Sequence, residues 1–235
     1  MRRMTLAAAA LILSASSPAL AQEWIQFASK ADLFGVNFPT EPKIQQTTWT
    51  SEFGIMLPAR VYSADSGASR YSVTVADYAD AEKMHAARVA ECKKNGGESD
   101  LCQNEFRGDV QGSIVYASWK FIQRNAKVTY FAWAVTDNVE GQRVQLTNPD
   151  GSRTFGAIYR HGTKLYILEG TVPKGAPAPG LFQQSLMWLD EEGKPVRYRS
   201  LYTTGYSDAW KFPTPAPARL GGPPPAAAPP APPVR

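Results

Sequence analysis

Two cysteines and two histidines are the scarcest reactive groups in this 235-residue chain, and their spacing limits the chemistry they can do. Cys92 and Cys102 bracket a polar loop that holds Gly96, Gly97 and Asp100. The spacing is far from the Cys-x-x-Cys of redox enzymes, and in an exported chain such a pair predicts a structural disulfide. Closing a loop of that size is worth about 3 kcal/mol in the chain-entropy account. A metal needs several convergent His, Cys or carboxylate ligands, and His85 and His161 stand far apart, so neither a metal nor another cofactor is expected. His85 lies on a predicted helix as a solvent-facing or half-buried residue, and His161 lies in a predicted hairpin turn.

The carboxylates offer little more. Asp77 and Asp80 have the spacing of an acid/base pair, but a helix cap explains Asp80 better. Asp190-Glu191-Glu192 reads as a solvated run at a helix end, without the pattern of a calcium loop. Neither Gly-x-Ser-x-Gly nor Ser-x-x-Lys occurs, although a hydrolytic triad can assemble from distant positions. No catalytic residue is assigned. Trp119, Tyr130 and Trp133 are candidates to line a ligand pocket between sheet and helix, and the same aromatics also suit a core.

These groups must be carried by an antiparallel meander over Ile114–Thr171, the stretch with the clearest punctuation. Asn148-Pro149-Asp150-Gly151 has the residues of a hairpin turn: Pro sets φ, Asn starts the turn and Gly takes the positive φ. Arg143–Thr147 and Thr154–Tyr159 flank it as strands. His161-Gly162 separates the second of these from Lys164–Leu168. Upstream, Val115, Ala117, Trp119 and Phe121 alternate with Ile114, Tyr116 and Ser118 and predict a strand. Phe131, Trp133 and Val135 alternate with Val128, Tyr130, Ala132 and Ala134, so that strand is expected to be covered on both faces.

The rest of the chain supplies the cover. Short strands are expected at Trp24–Phe27, Phe34–Phe38, Thr47–Thr50, Ala59–Tyr62 and Tyr71–Val75. Asp80–Lys94 predicts a helix capped by Asp80 and stopped at Asn95-Gly96-Gly97. Leu181–Leu189 predicts a second, with Phe182, Leu186 and Leu189 inward. Residues 195–210 are apolar enough to pack along the domain.

Met1–Ala21 has the parts of a secretory signal peptide: Arg2 and Arg3, the apolar stretch Leu6–Leu13, and Ala19-Leu20-Ala21 before the cleavage point. The apolar stretch is short of the roughly 20 residues that span a bilayer. The product is therefore expected to be periplasmic or secreted and not membrane-spanning. Without Arg2 and Arg3 the formal charge falls from +4 to about +2, and the basic residues form no stripe, which argues against nucleic acid. Residues 22–211 are expected to form one globular domain. Residues 212–235, mostly Pro and Ala, predict a tail of polyproline character.

Phe34-Gly35-Val36-Asn37-Phe38-Pro39-Thr40-Glu41-Pro42, then Tyr71-Ser72-Val73 leading to a helix, and Gly162-Thr163-Lys164-Leu165-Tyr166-Ile167-Leu168 together resemble exported bacterial proteins of the PsbP-like α/β/α sandwich type. The resemblance covers roughly residues 24–189 and rests on strand ends and turns. It implies an α+β fold with an antiparallel sheet between helices, and a non-catalytic accessory or assembly role. The chain is thus expected to bind a protein or a cell-envelope component, the alternatives being a small-ligand binder and, behind that, a hydrolase.

Overall fold

The computed structural model describes residues 24–202; the expected signal peptide and the Pro/Ala tail lie outside them. The strands are β1 (Ile25–Ser29), β2 (Phe34–Phe38), β3 (Lys43–Thr50), β4 (Met56–Ser66), β5 (Ser69–Asp77), β6 (Lys127–Thr136), β7 (Val139–Thr147), β8 (Arg153–His161), β9 (Lys164–Val172), β10 (Met187–Leu189) and β11 (Pro195–Val196). The helices are α1 (Ala81–Lys94), α2 (Phe106–Ile122) and the single turn α3 (Gly180–Gln183). The fold is α+β and mostly strand. Its centre is a seven-stranded sheet in the order β3-β4-β5-β9-β8-β7-β6, antiparallel throughout.

Alternation along the central strands explains the layering. Successive side chains point to opposite faces, and in β8 and β9 both sets are buried. Ala157, Tyr159, Tyr166 and Leu168 enter one core with Phe34, Phe38, Phe182 and Trp188. Ile158, Leu165 and Ile167 enter another with Val110, Ala117 and Phe121 of α2. The helices α1 and α2 therefore cover one face of the sheet. The other is covered by a second, four-stranded sheet, β1-β2-β10-β11, together with α3.

Several turns follow their residues closely. Asn148 accepts from the Gly151 amide and Asp150 Oδ1 from the Ser152 amide, each at 2.9 Å, and Gly151 takes φ +80°. The β8–β9 connection is Gly162-Thr163, with His161 still in the strand and opposite Lys164. Asp137 and Asn138 both hold positive φ in the tight β6–β7 turn, the backbone a primed two-residue hairpin requires.

Three expectations are corrected. Residues 114–122 are the second half of α2, not a strand. Their aromatic and β-branched residues mimic strand composition, but the buried set Val110, Ser113, Ala117 and Phe121 repeats at helical spacing. The predicted helix at Leu181–Leu189 shrinks to α3 followed by β10, because β2 has an open edge on which Met187 pairs with Gly35 and Trp188 with Phe34. Asp80 stands at the N-cap of α1 but makes no side-chain cap hydrogen bond. An α/β/α sandwich is accordingly replaced by helices on one face and a small sheet on the other.

Gly156 sets how closely α2 approaches the sheet. A Cβ there would stand 2.7 Å from Val144 Cγ1 and 3.0 Å from Phe121 Cζ. Gly156→Ala is expected to lower the unfolding free energy by about 1–3 kcal/mol, measured as a reduced urea midpoint with an unchanged slope.

Candidate functional site

The disulfide is formed: Cys92 near the end of α1 is bonded to Cys102, with Cα atoms 5.6 Å apart. Gly97 makes the closure possible, since a Cβ at that position would lie 2.5 Å and 2.7 Å from the two sulfurs. Beside it lies an open cleft of about 670 Å³ lined in part by Glu52, His85, Arg88, Asp100 and Glu105.

His85 is neither solvent-facing nor half-buried; it is 2% exposed and part of a polar cluster. Its Nε2 lies 2.9 Å from Asp109 Oδ2, and Ser51 Oγ donates to the same oxygen at 2.5 Å. Ser51 and Asp109 are also buried. Residue types alone would suggest a hydrolytic triad, but the order is different. A nucleophilic serine must give its proton to the imidazole, whereas here both side chains converge on the carboxylate. The cluster ties the β3–β4 connection to α1 and α2. Positions 51, 85 and 109 share no motif, so only the fold reveals them.

A second buried carboxylate, Asp32, joins the two sheets from the β1–β2 turn. It accepts Arg60 Nε at 2.7 Å, Arg60 Nη2 at 2.6 Å and the Tyr62 hydroxyl at 2.7 Å, with Lys164 Nζ at 3.3 Å. Burial pushes its pKa up, but the hydrogen bonds from Arg60 and Tyr62 and the charge of Lys164 outweigh that and hold it below the usual carboxylate range. Burial pushes the Tyr62 hydroxyl up to about 12. Asp77 is engaged by Lys164 Nζ at 2.6 Å, so it does not pair with Asp80. Asp190 closes the β10–β11 turn through the Lys194 amide at 2.7 Å, while Glu191 and Glu192 are exposed.

His161 is half-buried. It stacks on Trp188 with ring centroids 4.7 Å apart, and its Nε2 lies 2.6 Å from the Tyr198 hydroxyl. Burial alone lowers its pKa to about 4. Val196, Tyr198 and Tyr202 pack with this core, as expected of the segment after Pro195; residues 203–210 lie outside the described range.

The three aromatic ligand candidates do not share a pocket. Trp119 stands on α2, exposed and stacked on Tyr116 at 6.0 Å. Tyr130 and Trp133 are on β6, opposite Gln145 and Gln142, and so on opposite faces of the sheet. The described clefts are lined by none of the three.

The expected cover over β6 is also corrected, because β6 is the edge of the main sheet. Two apolar faces read as a buried strand, yet the layers end before reaching it. Phe131 lies opposite Val144, which packs against Phe121 of α2, so Phe131 and Trp133 are on the helix side. The irregularity between Val128 and Tyr130 brings Val128, opposite Leu146, to that side too. Val128, Phe131 (48%) and Trp133 (63%) are exposed on that side of β6. Val115, Trp119 and Ile122 of α2 are exposed as well, but Trp119 stacks on Tyr116, which packs on Trp49 of β3 at the other edge of the sheet.

A comparison with known family models finds no match for this chain, and a comparison with curated proteins finds none either. Among the described residues no helix is long and apolar enough to cross a membrane.

Two outcomes follow from the buried groups. Asp32→Ala leaves Arg60 and the Tyr62 hydroxyl without their carboxylate while Lys164 keeps Asp77, and is expected to cost roughly 1–3 kcal/mol in urea unfolding. For His161 the unfolded ring binds a proton near pH 6.5 and the folded ring only near 4. The neutral form is the native one, so its stabilisation is complete above about pH 6.5 and is lost as pH falls towards 4. Melting curves across that window should show a decline on the order of 3 kcal/mol or less, flattened in His161→Gln.

Proposed function

We propose that this chain is an exported, non-catalytic binding module that holds a protein partner of the cell envelope against the apolar surface presented by β6. The observation that carries this reading is the row of exposed large apolar side chains on the helix side of the edge strand β6: Val128, Phe131 and Trp133. Monomeric proteins rarely leave such groups together in water unless something binds there, and aromatic residues are enriched at the centres of interfaces.

Export is supported by the signal-peptide pattern of residues 1–21 and by the formed Cys92–Cys102 bond, which persists in oxidising compartments. The resemblance to PsbP-like exported proteins points to the same accessory role. Small-ligand binding is the weaker reading, since Trp119, Tyr130 and Trp133 surround no common cavity among the described residues. A hydrolytic role is weaker still: Ser51 is buried and gives its hydrogen bond to Asp109.

The test compares the purified protein with its Phe131→Glu/Trp133→Glu variant as baits in periplasmic extract. A reproducible partner held by the first and lost by the second, at equal circular dichroism and thermal stability, is the expected result. Equal retention by both baits, or no partner with either, defeats the reading.

A further inference from the structure

The Cys92–Cys102 bond closes an excursion of the chain that hardly enters either core. Between His85 and Phe106 only Cys102 is buried; Val89, Cys92, Gly97 and Glu105 are half-buried, and the others are exposed. The buried residues of α1 are Ala81 and His85, so the helix beyond His85 lies outside the packed layers. Composition explains this. Val89 and Leu101 are the only large apolar side chains from 86 to 105, and Leu101 is 76% exposed. Burying so little apolar surface contributes little against the entropy of ordering the backbone, and a short helix without a packed face is marginal in water.

What holds the segment is therefore mainly covalent. Its tie to another element is the Arg88 guanidinium, which donates to the Phe53 carbonyl oxygen. The turn hydrogen bonds, from the Gly97 amide to the Cys92 carbonyl and from the Cys102 amide to the Glu98 carbonyl, lie within the segment itself. The disulfide then fastens the far end of the loop back onto α1. That bond is within reach of solvent. Both cysteines line the open cleft that also holds His85 and Arg88, and Cys92 is the more exposed of the two.

We propose that residues 86–105 are a thiol-controlled flap: the Cys92–Cys102 bond is its latch, and a dithiol that reduces it opens this segment alone while both sheets stay folded. The donor's thiolate attacks Cys92 Sγ from the cleft, and Cys102 Sγ leaves as a thiolate and takes a proton. The donor's second thiol, as its thiolate, then displaces Cys92 and closes the donor's own disulfide. Two electrons and two protons have passed to the protein. Opening removes the cleft wall made by Cys92, Leu101 and Glu105 and leaves His85, the last buried residue of α1, facing water. None of the β6 surface takes part, so the flap goes beyond the partner-binding reading and is tested independently of it.

Hydrogen exchange read by mass spectrometry tests the flap on the full chain, oxidised and after dithiothreitol without denaturant. The bond is expected to be reduced at a rate proportional to the dithiothreitol concentration. Amides of residues 86–94 should then exchange about tenfold faster or more, while those of β5, β8 and β9 keep their oxidised rates. Cys92→Ser/Cys102→Ser should show the same pattern without reductant, and re-oxidation of the native chain should restore the slow rates. Reduction that occurs only at urea concentrations that unfold the sheets overturns the proposal, since the bond would then be sealed inside the fold. Faster exchange across β5, β8 and β9, or a double variant that does not fold, overturns it because the bond would then support the whole domain. Unchanged exchange in residues 86–94 overturns it because the segment would hold itself.

Discussion

The central strands of the large sheet carry apolar side chains on both faces, and that requires the sheet to be covered twice. Tyr159 and Tyr166 are buried on one side and Ile158 and Leu165 on the other. Helices α1 and α2 satisfy the second side, and the small sheet with α3 satisfies the first. A tight α2 requires glycine at position 156, and the small sheet requires a strand, not a helix, at Met187–Leu189. The cover ends at the last strand. The exposed aromatic character of β6 follows from the same demand, left unmet among the described residues.

Polar groups hold the layers in register where apolar packing alone would let them slide. Asp32 lies between the sheets with Arg60 and Tyr62 from β4 and Lys164 from β9 converging on it, while Tyr166 donates to its backbone oxygen at 2.7 Å. Asp109 does the corresponding work between α2, α1 and the β3–β4 connection, with His85 and Ser51 as partners. Each carboxylate is buried and costly to desolvate, so each is stable only with its donors in place. Both clusters resemble chemistry in their residue types and differ from it in geometry, because their donors are spent on structure.

Most turns and strands were legible in the residues, because a turn is a local event. Asn148 through Gly151 specify their hairpin without help, and Gly162 marks the next. The disulfide was legible too, being a matter of two cysteines and a short loop. The helix over residues 106–122 was not. Its Val, Tyr, Trp and Phe residues suit a strand as well as a helix, and the deciding signal is which of them meet the sheet. Asp80 has the composition of a cap without its hydrogen bond, and His85 has the look of a surface residue while lying against Asp109.

What the residues determined alone was the local grammar of the chain: the hairpins from β7 to β9, the extent of α1, the cysteine pairing and the scarcity of reactive groups. Those depend on backbone preferences and on neighbours close in sequence. Tertiary structure decided which apolar face is inside and which is left in water. Trp133 and Ile158 both occupy apolar strand positions on the helix side, and one is exposed while the other is buried because α2 packs over β8 and stops short of β6. Burial is a property of what lies on the other side, and no stretch of sequence carries that by itself.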